Sequence, residues 1–242
     1  MRKLNFVLIL LCLNVSFVFC QTGATDIIPN LSTALTINLG NLYRNDFLKF
    51  NTDLNIKGTP FLTDSFLFSQ VWLFDKKTYV VSKMKLNLYT QQLHFKTEAG
   101  EELVTDGNVI TKAIFFDDSA SQSGQLYTVS CGYPKIDGNT PKTYYVQMNE
   151  GKVLLLKRIS KTFVAHSAAP SVSPYKEFVE RVNYYVYNSE SKSIEKVKKN
   201  QDLIFSFFGD KVQIVKSYID TNKLDIKSVS DLLKAINYYN SL

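Results

Sequence analysis

The sequence predicts an α+β fold: a mainly antiparallel β domain, sandwich or curved and barrel-like, of about eight to ten strands, followed by a small three-helix C-terminal subdomain. Three observations carry this. Between about residues 35 and 198 the apolar residues recur with period two, the signature of strands with one face on a core. Clusters of Gly, Asn, Asp and Lys break that stretch into short segments, as hairpin turns require. From about residue 199 the apolar spacing lengthens to three and four, the period of an amphipathic helix.

At the N-terminus, Arg2 and Lys3 precede a mostly apolar run, Leu4 to Phe19, interrupted by Asn5, Asn14 and Ser16. A membrane span needs roughly 20 apolar residues, so this short run reads as a secretory signal. Lipidation of Cys20 would call for a small residue before it, and Phe19 stands there instead. Val18 and Cys20 are the smaller side chains that signal peptidase selects, which places the cut after Cys20. The expected division is therefore a signal peptide over 1–20, an exposed lead-in over 21–34, an antiparallel β domain over 35–198 and a helical subdomain over 199–242.

Within the β domain, Met84, Leu86 and Leu88 alternate with Lys83, Lys85, Asn87 and Tyr89, and Leu93 and Phe95 alternate with His94 and Lys96. This is a hairpin with a core face and an expected wet face. Asp75-Lys76-Lys77 separates "FSQVWLF" (68–74) from "TYVVS" (78–82), and Asn149-Glu150-Gly151-Lys152 joins "YYVQM" to "VLLLKRI". Asn200 is placed to cap a first helix bearing Leu203, Ile204, Phe207 and Phe208, with Gly209 at its end. Asp210 is placed to cap a second helix with Val212, Val215 and Ile219 on one stripe. Ser228, three residues before Asp231, resembles a capping box, and Leu232, Leu233, Ile236 and Tyr239 follow at helical spacing.

The 242 residues carry a net charge of +6, which falls to +4 over the remaining 222 residues once Arg2 and Lys3 leave with the signal. This mild excess is spread along the chain, so no nucleic-acid partner is expected. Of the three cysteines only Cys131 survives cleavage, so the mature chain has no internal disulfide. No cofactor-binding motif is present, and no transmembrane span is expected in the mature chain.

"KGTPFLTDSF" (57–66), "VLLLKRISKTF" (153–163), "NYYVYN" (183–188), "DLIFSFFGDKVQIVKSYIDTNKL" (202–224) and the closing "DLLKAINYYNSL" together resemble a family of uncharacterised exported Bacteroidota proteins. Its members share a GxPYL-like start, a run of hairpins and a YYNSL-like end. A Gln at the new N-terminus also resembles signal cleavage in that group. The resemblance implies an exported protein, and it carries no activity and no catalytic residue. The closing amphipathic helix, in place of a β-sandwich sorting domain, leads us to expect a periplasmic or outer-membrane-associated location over release.

Candidate chemistry is sparse. The two histidines, His94 and His166, stand in no metal-ligand spacing. His94 is read as a solvated strand residue. A Cys131–His166 thiol–imidazole pair requires the fold to bring the two together. Glu101-Glu102 and Asp117-Asp118 are adjacent pairs, whose side chains on a strand point to opposite faces. The aromatics Trp72, Phe74, Tyr185 and Tyr187 fit either an interaction strip for a sugar or protein partner or a second core layer. The Lys-rich stretch 191–201 fits a solvated edge strand. The expected function is a non-catalytic binding or assembly module of the bacterial envelope with an envelope or outer-membrane protein partner. Its alternatives are a carboxylate hydrolase of envelope polymers, or a carrier whose cavity is lined by Met84, Leu86, Leu88, Leu93 and Phe95.

Overall fold

A computed structural model describes residues 43–44, 56–73, 79–96, 100, 102–105, 110–117, 124–167, 174–197 and 202–242. The signal, the lead-in, Phe74, Glu101, Asp118 and Asn200 lie outside these residues. The chain is α+β: a largely antiparallel sheet, then a small helical subdomain. Among the described residues the strands are β1 (Tyr43–Arg44), β2 (Ile56–Lys57), β3 (Leu67–Leu73), β4 (Tyr79–Asn87), β5 (Gln92–Lys96) and β6 (Glu102–Val104). They continue as β7 (Ile110–Phe116), β8 (Gln125–Ser130), β9 (Tyr145–Gln147), β10 (Val153–His166), β11 (Tyr175–Asn188) and β12 (Ser193–Lys196). The count exceeds the expected eight to ten because strands of two or three residues, such as β1, β2 and β9, are too short to show a period.

The sheet order is β1-β6-β5-β4-β3-β7-β8-β9-β10-β11-β12, and β2 pairs in parallel with β11. Two meanders, β3–β6 and β7–β12, are therefore joined along the β3–β7 pair. The sheet curls, so that its β4–β5 turn reaches strands several places away. The Tyr144 N–H donates to Gln91 Oε1 at 3.1 Å, and the Lys161 N–H donates to the Leu88 carbonyl at 3.3 Å. Inside the curl lies the main core, with Val71, Met84, Leu86, Leu93, Phe95 and Phe115 all essentially buried. The alternation in β4 and β5 thus places Met84, Leu86, Leu88, Leu93 and Phe95 as read.

The opposite face of that hairpin differs from expectation. Lys85, Asn87 and His94 are buried, not wet. The cause is the segment 58–66, which straps across them. Leu62 N–H bonds the Leu86 carbonyl, and Leu88 N–H bonds the Pro60 carbonyl. The Phe61 ring stands edge-on to His94 at 5.1 Å, and the Lys85 ammonium sits 3.9 Å from the Phe61 ring centre. A loop with no period of its own gives no sequence signal that it covers a distant face.

A second core fastens the helices, α1 (Asp202–Phe205), a 3-10 turn (Ser206–Lys211), α2 (Val212–Thr221) and α3 (Val229–Ser241). Val153, Leu155 and Val186 of β10 and β11 pack against Phe207, Phe208, Val215, Leu232 and Ile236. Gly209 has φ +52°, as its place at a helix end requires. The predicted capping at α3 is different in detail. Ser228 makes no side-chain cap, and Asp231 instead accepts from the Asp225 N–H and pairs with Lys234.

Candidate interaction face

Period two along β3 sends Leu67, Val71 and Leu73 into the main core and Phe68, Gln70 and Trp72 to the outer face. Register on β7 then opposes Phe68 to Phe116, Gln70 to Ile114 and Trp72 to Lys112. The Phe68 and Phe116 rings meet edge-on at 6.3 Å. Lys112 Nζ lies 5.1 Å over the Trp72 ring. None of these six is buried, and Phe68 is 37% exposed. On β8, Thr128 stands opposite Ile114, and Leu126, two residues earlier, is 46% exposed.

Both flanks of this outer face are covered by the chain itself. Segment 58–66 lies over β4 and β5. On the other side, Tyr133 and Ile136 of the loop after β8 close over β9–β11, forming a cluster with Tyr145, Leu156, Tyr185 and Ile194. The open ground between is the β3–β7 row, an apolar, aromatic surface with Gln70 and Lys112 as polar handles.

The four aromatics read from the sequence therefore separate. Trp72 belongs to the outer row. Tyr185 is 1% exposed and Tyr187 packs beside it against Tyr133, so these two form the second core layer and no strip with Trp72. Four strands stand between β3 and β11. The residues that join Trp72, namely Phe68, Ile114 and Phe116, alternate correctly in the sequence, but alternation does not say which strand becomes a neighbour.

Cys131 and His166 are not brought together. Cys131 Sγ bonds the Ile110 carbonyl at 3.4 Å, and the Tyr144 hydroxyl bonds the same carbonyl at 2.7 Å. Tyr144 is level with Ile159 in the β9–β10 register. His166 is seven residues further along β10, about 23 Å at ~3.3 Å per residue. Burial pushes the Cys131 thiol up to about 11, so it is a protonated thiol at neutral pH and not a nucleophile. His166 stacks on Tyr175 at 4.5 Å, and its Nε2 meets Glu177 Oε1 at 2.9 Å.

His94 is the other correction. It is 1% exposed, with Nδ1 2.7 Å from Glu102 Oε1, and Lys85 Nζ lies 3.4 Å from the same oxygen. Burial holds the His94 pKa below its ordinary value of 6.5, against the pull of Glu102. Burial also acts to raise the Glu102 pKa, but the bond to His94 and the charge of Lys85 outweigh it and hold the carboxyl below its usual 4.5. Neutral His94 in the fold implies that the unfolded chain takes up a proton first as pH falls through 6.5. Stability is then full above pH 6.5 and declines below it, by up to about 1.4 kcal/mol per pH unit for one proton. Glu102 adds a further loss below pH 4.5. Urea unfolding at pH 7.5 and 5.5 is expected to show lower stability at 5.5, with the difference reduced in His94→Gln. Equal stability at the two pH values would contradict this environment for His94.

Glu102 is a half-buried anion, tied to His94 and Lys85 and held down in pKa, where a general acid requires the opposite. Met84, Leu86, Leu88, Leu93 and Phe95 fill the interior of the curl with one another at 0–3% exposure, leaving them no cavity to line. A polar groove of about 350 Å³ lies between the β11–β12 turn and the helices, bordered by Glu190, Glu195, Phe207, Asp210 and Tyr239. Among the described residues no three His, Cys, Asp or Glu side chains converge on a metal position, and no helix is long and apolar enough to cross a membrane. A scan against protein-family models gave no match, and searches of curated proteins and of solved structures found no similar chain.

Proposed function

We propose that the chain is a non-catalytic binding or assembly module of the bacterial cell envelope. It is exported by its N-terminal signal and docks an envelope or outer-membrane protein on the outer face of β3 and β7. The supporting observation is the in-register, half-exposed row of Phe68, Trp72, Ile114 and Phe116, on a face whose two flanks the chain covers for itself. Contiguous apolar surface of this kind is characteristic of interaction sites, and large aromatics dominate binding energy where they are found. The export and the envelope setting rest on the charged-then-apolar start and on the resemblance to exported Bacteroidota proteins.

The test is capture of the tagged protein from gently solubilised envelopes of its native host, read by quantitative mass spectrometry. Wild type is expected to recover a stoichiometric partner. Phe68→Ala combined with Trp72→Ala is expected to weaken that recovery by about tenfold or more, since loss of an interface aromatic commonly costs over 1 kcal/mol. Phe68 is 37% exposed and Trp72 is partly exposed, so far-UV circular dichroism of the variant is expected to match wild type. Recovery of nothing but the protein itself would overturn the proposal.

A further inference from the structure

Arg158, in the middle of β10, is only 8% exposed. Its Nε donates to Asn139 Oδ1 at 3.2 Å, and its Nη1 donates to the carbonyl of Ile159. Both acceptors are neutral. Among the described residues no carboxylate lies within ion-pair distance of it. A guanidinium cannot shed its proton at any ordinary pH, and an interior cation without a counter-charge is strongly unfavourable.

Across the ladder stands a second incomplete group. Leu156 opposes Gln147 and Lys157 opposes Val146, so the next pair in that register is Arg158 with Tyr145, whose Cβ atoms stand roughly 5 Å apart in such a pair. Tyr145 is 1% exposed, and its hydroxyl has no hydrogen-bond partner. Burial pushes this hydroxyl well up in pKa, so it remains a donor. Buried tyrosine hydroxyls are nearly always bonded. Asp137, whose charge reaches the Tyr145 hydroxyl, is hydrogen-bonded to neither group. Asp137 accepts from the Tyr185 hydroxyl at 3.3 Å and is paired with Lys196 at 3.0 Å.

Two donors, one of them permanently charged, thus sit on adjacent strands of the outer face beside the Ile136–Asn139 turn, near enough for the charge of Arg158 to act on the Tyr145 hydroxyl. We propose that Arg158 and the Tyr145 hydroxyl form a binding site for a small oxyanion, of the phosphate or carboxylate type. Water would satisfy the hydroxyl and leave the charge of Arg158 unbalanced. An oxyanion answers both, accepting charge-assisted bonds from the guanidinium and one from Tyr145. The site is separate from the β3–β7 row and stands whether or not that row binds a protein.

The probe is inorganic phosphate, with acetate as a second arm, each compared with chloride at matched ionic strength. In wild type, phosphate or acetate is expected to give a saturable rise in Tm of about 2–4 °C. Arg158→Gln is expected to remove the saturable part, leaving only the shallow, unsaturating rise that phosphate gives any protein by exclusion from its surface. Should Arg158→Gln fail to fold, Tyr145→Phe decides. In chloride it is expected to be at least as stable as wild type, because the hydroxyl it removes is unbonded, and it is expected to bind phosphate at least about fivefold more weakly, the loss of one hydrogen bond. Unsaturating and equal rises in wild type and Tyr145→Phe would overturn the proposal and leave a site for water only.

Discussion

Replacing Phe208 by alanine is expected to lower the free energy of unfolding by about 3–5 kcal/mol, the range for removing a buried phenylalanine. Phe208 is 1% exposed and touches Tyr239 of α3 at 5.1 Å between ring centres. It shares a cluster with Val153, Leu155 and Val186 of the sheet, so the cavity would open where helices and strands meet. The short helices cannot hold themselves together, because segments of this length are marginal alone and take their stability from packing. Urea unfolding followed by circular dichroism is expected to show a lower midpoint. A loss under about 1 kcal/mol would mean that the helices hold to the sheet by some other means.

Gly151→Ala is expected to cost about 3 kcal/mol, a large effect for a single methyl group. Gly151 has φ +121°, where a side chain is strained by about 1–3 kcal/mol. A Cβ there would also stand 2.5 Å from Asn240 Cγ and Nδ2. That amide is not free to step aside. Asn240 Oδ1 accepts from the Val153 N–H at 3.0 Å, and its Nδ2 donates to the carbonyls of Glu150 and Val153 at 3.0 and 2.8 Å. It thereby ties the last turn of α3 to the start of β10, and each bond lost costs about 1 kcal/mol. Asn240→Ala is expected to lose about 2 kcal/mol on its own and to reduce the further cost of Gly151→Ala, because the obstructing amide is gone. Strict additivity in that double-mutant cycle would contradict the clash.

These two residues also show what the sequence makes legible. Phe208 lies on a helical stripe that can be read directly, as do Val215, Ile219, Leu232 and Ile236, and all are buried together. Met84, Leu86 and Leu88 likewise follow their period into the core. Gly151 reads only as a turn glycine, because the amide that forbids a side chain there comes from a residue almost ninety positions later. His94 and Lys85 fail for the same reason: alternation placed them on the outer face correctly, and the strap that buries them comes from 58–66. Tyr185 is the mirror case, an outer-face residue covered by the loop after β8. Trp72 was legible as a candidate, whereas its companions Phe68 and Phe116 became one surface only through the β3–β7 pairing. That pairing joins two meanders over a long separation in the chain, which local pattern does not encode. The charge left on Arg158 and the unbonded hydroxyl of Tyr145 are likewise invisible before burial is known.

The most direct test of the docking face is site-specific photo-crosslinking in envelopes of the native host. A photoreactive phenylalanine analogue would replace Phe68, Phe116, Leu203 or Ile214, one position at a time. The first two sit on the β3–β7 row, and the last two are exposed on the helical subdomain at 39% and 46%. The proposed function predicts a discrete adduct with one envelope protein from positions 68 and 116 and none from 203 and 214. Adducts from 203 or 214 alone would move the docking surface to the helical end and contradict the role assigned to the outer face of the sheet.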